Sequence, residues 1–247
     1  MPKKNSKKKL PKLVQNIEEN VCRLPLAANE KADEPARLYE ISWRIFRIMS
    51  EFVEGFQFLA QSRNEVTILG SARLAPETKW YKEAVKLGKL LTECGYTVIT
   101  GGGPGIMEAA NKGASEAGGP SIGINIQLPT EQRVNPYVTH SRGFHYFFTR
   151  KVMLAASAQA YVYFPGGFGT LDELFEIVTL IQTGKMSGTP VICVGKEFWD
   201  GLFDWVRAVQ LEAHQTISAK DLDLIQIVDT AEEAHKIVSK SKDRSFF

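Results

Sequence analysis

Three glycines fall within the nine-residue run Pro165-Gly166-Gly167-Phe168-Gly169-Thr170-Leu171-Asp172-Glu173, which stands between an apolar stretch, Ala160 to Phe164, and an amphipathic one, Leu174 to Gln182. A buried strand that turns through glycines into a helix leaves backbone N–H groups without partners at the helix N-terminus. The helix macrodipole favours negative charge at the same place. The chemistry this predicts is phosphate binding. The arrangement recurs upstream: Tyr96 to Thr100 reads as a strand, Gly101-Gly102-Gly103-Pro104-Gly105 as the turn, and Ile106 to Ala117 as a helix with Pro104 near its start. Two such turns on one parallel sheet could hold one nucleotide between them.

The turns exclude two common nucleotide chemistries. The dinucleotide fingerprint G-x-G-x-x-G, begun at Gly101 and Gly103, would need glycine where Ile106 stands, and no G-x-x-x-x-G-K-[ST] occurs. Hydride transfer from a dinucleotide and nucleoside triphosphate hydrolysis both lose their phosphate cradles. A mononucleotide remains.

The elements that must position these turns alternate along the chain. Short β-branched runs at 66–69, 96–100, 121–126, 160–164, 190–194 and 224–228 are interleaved with helical patterns at 79–93, from 106, 144–158, from 171, 198–212 and 231–239. Such alternation predicts an α/β fold: right-handed βαβ units forming a doubly wound, Rossmann-like parallel sheet, with ligands outside the carboxyl ends of the strands. Both glycine turns fall at such ends, as do Gly70-Ser71-Ala72-Arg73 and the stretch Gln127 to Asn135. Ahead of this domain, residues 63–247, the spacing of Leu38, Ile41, Ile45, Ile48, Phe52, Phe56 and Leu59 predicts a helix over 35–62. Trp43, Phe46, Val53 and Phe58 widen its apolar surface, so it must pack deep against the body or complete a subunit interface. Residues 1–34 read as a flexible basic tail.

The chain is long enough, at 247 residues, to bury a full core. Its net charge is +2, yet Lys3, Lys4, Lys7, Lys8, Lys9 and Lys12 crowd the first twelve residues without an acid, leaving the remainder at −4. An acidic body with a short lysine tail does not predict nucleic-acid binding. Neither a signal-peptide core nor an apolar run of membrane-spanning length is present, so a cytoplasmic protein without membrane partners is expected. Cys22, Cys94 and Cys193 show no C-x-x-C spacing and read as reduced, structural thiols. His140, His145, His214 and His235 offer no zinc-binding pair, and no metal is expected.

The combination of Gly-Gly-Gly-Pro-Gly-Ile-Met-Glu-Ala-Ala at 101–110, Thr-Arg-Lys at 149–151 and P-G-G-x-G-T-x-x-E at 165–173 resembles the LONELY GUY family over about residues 64–212. The resemblance implies a phosphoribohydrolase that splits nucleoside 5′-monophosphates, AMP or cytokinin riboside 5′-monophosphates, into free base and ribose 5-phosphate without a cofactor. Family members often carry the description "possible lysine decarboxylase", but nothing in the sequence gives a Schiff-base lysine its setting. Carried over by position, the resemblance makes Arg150 and Glu173 catalytic, with Lys151 beside them. It assigns phosphate to Gly166, Gly167, Gly169 and Thr170, with Gly102, Gly103 and Gly105 facing them, and sets Glu131 near the base and ribose. Plant-type members commonly have Met-His-Glu before the Arg-Lys pair, where this chain has Phe147-Phe148-Thr149, and they lack so long an N-terminal extension.

The residue types suit that chemistry. Cleaving an N-glycosidic bond passes through an oxocarbenium-like ribose, which a carboxylate such as Glu173 can stabilise while it polarises water. Arg150 is a permanent cation with a planar fork of donors and a poor proton donor, so its role is electrostatic positioning. Each assignment has a plainer counterpart. Thr170-x-x-Glu173 also fits a helix capping box, Arg150 and Lys151 a solvated helix face, and Glu131 a loop acid. Ser71 and Arg73 either contact the ligand or close the first turn. The competing function is a nucleotide or molybdenum-cofactor carrier of the same fold, which would need neither Arg150 nor Glu173; a scaffold organised by the N-terminal helix is a third. A homodimer or higher homo-oligomer is expected, since family members pair through helices near the active site and Leu174, Ile177, Val178 and Ile181 face one way.

Overall fold

The computed structural model of the protein describes residues 34–127, 134–156 and 158–241. The predicted tail and Glu131 thus lie outside the described residues, the tail all but its last residue. The chain divides into two compact units, Met1–Ile45 and Phe46–Phe247. The described part of the first is helical and holds an edge-to-face pair, Tyr39 and Trp43, with ring centroids 5.9 Å apart.

The elements follow in the order α1 Glu34–Leu59, β1 Glu65–Leu69, α2 Lys79–Glu93, β2 Thr97–Thr100, α3 Ile106–Glu116, β3 Ser121–Ile126, β4 His140–Phe144, α4 Phe147–Ala156, β5 Ala160–Tyr163 and α5 Phe168–Gln182. The chain continues through β6 Val191–Val194, α6 Lys196–Trp205 with π-type turns over Val206–Ala213, α7 Ala219–Leu222, β7 Ile225–Val228 and α8 Ala231–Val238. Seven strands form one sheet in the order β4-β3-β2-β1-β5-β6-β7, every pair parallel. This is the expected doubly wound α/β fold. β1, β2, β5 and β6 are buried along their whole length, as strands covered by helices on both faces must be.

The period-2 pleat divides the core into two layers. On β5, Ala160 and Val162 face the layer under α2, α3 and α8, while Tyr161 and Tyr163 face the layer under α4, α5 and α6. The second layer also takes the end of α1: Leu59 is fully buried there, with Phe52, Phe56 and Phe58 packed against the same cluster. Thr78 starts α2 by accepting a hydrogen bond from Tyr81 N, and Thr230 starts α8 by accepting one from Glu233 N.

Two local expectations are corrected. The helix read from Phe144 to Ala158 is preceded by an unexpected edge strand: Phe144 ends β4, and the helix runs Phe147–Ala156. β4, His-Ser-Arg-Gly-Phe, buries only Phe144, so it carries no alternating apolar signal to read. The second correction is that α5 begins at Phe168, not Leu171, with Gly167 as its N-cap. Among the described residues no helix is long and apolar enough to cross a membrane.

Candidate active site

β1 neighbours β2 on one side and β5 on the other, so the chain winds outward in both directions from this strand. At such a switch point the loops leaving adjacent strands run to opposite faces of the sheet and part, opening a crevice at the carboxyl ends. A cleft of about 980 Å³ lies here. Its walls are the turn after β1, Gly70 to Leu74, and the turn after β5, Pro165 to Gly169, completed by Thr170, Glu173, Arg150 and Phe147. Ser71 N donates to Pro165 O at 3.0 Å and joins the two turns. Ser71 Oγ accepts from Arg73 N at 3.0 Å, so this hydroxyl closes its own turn as well as lining the cleft.

The Pro165 turn is shaped by what its glycines lack. A Cβ at Gly166 would lie 2.1 Å from Thr170 Oγ1, so the threonine hydroxyl rests directly on that backbone. Around Gly167 and Gly169 no atom lies within 4 Å of where a Cβ would stand; these two backbones border open space. Leu171 N makes the first bond of the helix, to Gly167 O at 3.1 Å, and the amides of Phe168, Gly169 and Thr170 precede it.

The upstream turn is tied down instead. Gly102 N donates to Thr100 Oγ1 at 2.9 Å, and Asn135 clamps the turn by donating from N to Gly102 O (2.9 Å) and from Nδ2 to Gly103 O (3.0 Å). Asn135 Nδ2 also donates to Asn111 Oδ1, which accepts from Thr100 Oγ1, and Asn111 Nδ2 reaches Ser121 Oγ. Thr100, Asn111, Ser121 and Asn135 are all buried, so their mutual satisfaction is what lets the turn sit inside the fold. Gly105, at φ 67°, passes under Ser71 O so closely that a Cβ would lie 2.3 Å from it. The cleft lining does not include Gly102, Gly103 or Gly105; on this side the wall is Met107.

Arg150 extends from α4 toward this turn. Its Nε donates to Ile124 O at 2.9 Å, and its Nη2 lies 2.5 Å from where a Cβ on Gly101 would be. Glu173 enters from the second turn of α5. Because Gly167 is the N-cap, Thr170 is the third helical residue and Thr170-x-x-Glu173 does not sit where a capping box must. Arg150 Nη1 and Glu173 Oε1 stand 3.9 Å apart with side chains 14% and 8% exposed, attracted but too distant for a hydrogen bond. Burial pushes Glu173 up to about 7, against the pull of Arg150 and Lys151 and with the push of Glu176 and Asp172. Burial also lowers Arg150, and the Glu173 charge offsets part of that.

Lys151, the next residue, turns elsewhere. Its Nζ sits 2.8 Å from Asp172 Oδ2 and 3.0 Å from Glu176 Oε2. Burial alone would lower it, but hydrogen bonding to Asp172 and Glu176 together with the charges of Glu173 and Glu176 outweighs burial, and its pKa is raised. The aromatic part of the cleft wall, Phe147, Phe168, Phe198 and Trp80, is assembled from four separate elements and has no linear signature. Phe168 is 92% exposed at its mouth.

With this geometry, a family model described as "Possible lysine decarboxylase" matches residues 107–238. The rice (Oryza sativa subsp. japonica) cytokinin riboside 5′-monophosphate phosphoribohydrolase LOG is 30% identical over 178 residues, 70% of each chain. The cytokinin riboside 5′-monophosphate phosphoribohydrolase of Rhodococcoides fascians is 25% identical over 166 residues, 64% of this chain and 82% of that one. The solved molybdenum cofactor carrier protein MCP of Chlamydomonas reinhardtii shares the fold, with 24% identity and a TM-score of 0.53 over 72% of this chain and 98% of that one. On the span of the family model and the similarity to the rice protein, the chain belongs to the LONELY GUY (LOG) family, whose members include proteins named for phosphoribohydrolase activity.

Proposed function

We propose that the protein hydrolyses the N-glycosidic bond of purine nucleoside 5′-monophosphates, AMP first among them, to the free base and ribose 5-phosphate. The observation that carries this reading is the buried pair of Arg150 and Glu173, which faces the open glycine turn across one cleft. In this reading the 5′-phosphate rests on the amides of the Gly166–Thr170 turn at the start of α5. Glu173, further along the same helix, then lies beside the ribose. Ionised, it stabilises the oxocarbenium-like centre and polarises the attacking water. Arg150, anchored on Ile124 O, holds the phosphate, a ribose hydroxyl or electron density on the departing base. The proton taken by the base comes from water.

The names of the relatives support a nucleoside monophosphate substrate, whereas the likeness to the molybdenum cofactor carrier is one of fold. Lysine decarboxylation finds no support in Lys151. A Schiff-base lysine must be available as a neutral amine, and this one is held as an ammonium by Asp172 and Glu176. The exposed apolar side chains of α1, α4 and α5, among them Met49, Val53, Phe148 and Phe175, support a homodimer. The free thiols of Cys94 and Cys193 fit a reducing, cytoplasmic setting.

The deciding experiment incubates purified protein with a panel of nucleoside monophosphates and with adenosine. Free base and ribose 5-phosphate are assayed, and binding is measured alongside. Turnover of AMP but not adenosine is expected. Stoichiometric binding without turnover would favour the carrier, and equal turnover of AMP and adenosine would remove the phosphate seat.

A further inference from the structure

Arg150 does not reach the cleft on the strength of α4 alone. α4 begins at Phe147, and a carboxylate at its N-terminus comes from Glu51 on α1, outside the 107–238 span of the family model. Glu51 Oε1 accepts from His145 N at 2.7 Å, and Oε2 accepts from Tyr146 N at 3.3 Å and from Thr149 Oγ1 at 2.6 Å. Thr149 is fully buried and immediately precedes Arg150. Three donors on one carboxylate, at the positive end of a helix dipole, fix where the helix starts and how it is rotated. Rotation about the α4 axis is what would move the Arg150 fork relative to Ile124 O and Glu173.

The stretch of α1 just beyond this contact is clamped as well. Glu54 pairs with Arg142 on β4, and Gly55 lets α1 approach so closely that a Cβ there would lie 2.6 Å from Met153 Sδ of α4. Leu59 then ends the helix fully buried in the core.

We propose that Glu51 is a positioning residue for the reaction: by holding the first turn of α4 it sets the Arg150 guanidinium against Glu173, so that a helix preceding the Rossmann-like core governs turnover. The inference rests on the reading of Arg150 and Glu173 as the reacting pair. Because the Gly166–Thr170 turn belongs to α5, the amides it offers to a phosphate keep their places whether or not Glu51 holds α4.

The test compares Glu51→Ala, Glu51→Asp and Glu51→Gln with Glu54→Ala, in the full chain, using AMP. Glu51→Ala is expected to lose about 10- to 100-fold in kcat with KM changed by less than about threefold, as for displacement of a catalytic group by about 1 Å. Glu51→Asp, whose carboxylate falls short of the three donors, should resemble it. Glu51→Gln keeps one acceptor oxygen, enough for Tyr146 N and Thr149 Oγ1 but not also for His145 N, and should recover part of the rate, while Glu54→Ala stays near wild type. Two readouts separate positioning from general loosening. In Glu51→Ala the acidic limb of kcat/KM moves above its wild-type position, because Glu173, which also faces Lys151, Asp172 and Glu176, loses part of the Arg150 attraction. Amide hydrogen exchange over residues 145–150 speeds up while that over α5 does not. Should Glu51→Ala fail to fold, Glu51→Asp decides on the same measurements. Wild-type kcat and pH profile in a folded Glu51→Ala or Glu51→Asp variant would overturn the inference. The exchange measurement needs no substrate, so a wild-type protein that turned over no monophosphate would refute the proposed reaction, and the structural link would still be judged by exchange.

Discussion

Replacing Glu173 by glutamine is expected to make the protein at once inactive and more stable, and the size of both effects follows from where this carboxyl sits. Its side chain is 8% exposed, and burial raises it from 4.5 to about 7 even with Arg150 pulling the other way. A fold that binds the proton more tightly than the unfolded chain has its full stability below pH 4.5 and loses it as pH rises to about 7. At 1.36 kcal/mol for each tenfold change in proton affinity, ionised Glu173 costs the fold about 3 kcal/mol by pH 8. Glutamine removes that cost, and the Arg150 attraction is already contained in it. The variant should therefore match wild type at pH 4.5 and exceed it by up to about 3 kcal/mol at pH 8, read from urea unfolding at both pH values. Turnover of AMP should fall by about 10²-fold or more, since the lost charge acts mainly in the transition state. A variant that keeps near-wild-type kcat would remove Glu173 from the chemistry. One that is less stable than wild type at pH 8 would refute the reasoning about its burial.

The wild-type rate should itself report this group: kcat/KM for AMP is expected to rise about tenfold per pH unit below about 7 and level off above, and a profile that falls through this range would make Glu173 an acid rather than a carboxylate. Gly169→Ala places a methyl where no atom lies within 4 Å, in the first turn of a helix, so the fold should gain up to about 1 kcal/mol in thermal unfolding while KM for AMP rises; an unchanged KM would show that no phosphate approaches this backbone. Removing residues 1–32 should leave assembly and activity unchanged, whereas removing 1–62 takes away Leu59, Gly55 and Glu51 and should cause dissociation or aggregation in light scattering. A fully assembled, well-behaved chain lacking 1–62 would end the structural role given to α1.

Most of the sheet could be read in the sequence because its inner strands, such as Ala160–Tyr163 and Val191–Val194, are apolar on both faces and bounded by turns. β4 escaped because an edge strand with one buried residue need not alternate. The Pro165 turn was legible since its glycines and the helix start that follows them are contiguous in the chain. The Asn111–Asn135 clamp, the aromatic wall and Glu51 were not, because each joins side chains far apart in sequence whose pairing only the fold decides. The position of Lys151 after Arg150 was equally plain, while its pairing with two acids one turn apart on α5, Asp172 and Glu176, was another contact only the fold decides.

What separates a hydrolase from a carrier on this scaffold is the anion. A protein that only grips a phosphorylated ligand is served by backbone amides such as those of the Gly166–Thr170 turn. A carboxylate beside that phosphate repels it in the ground state. Nor does Glu173 help the fold, for at 3.9 Å it makes no hydrogen bond to Arg150, and an ion pair buried in such geometry recovers less than its desolvation. The raised proton affinity of Glu173 is the visible sign of that deficit. On the proposed reading, a group that weakens both folding and ground-state binding contributes only where positive charge develops next to it, which on a nucleotide is the anomeric carbon as the base departs. For the same reason the glutamine variant should bind AMP at least as well as wild type while failing to cleave it.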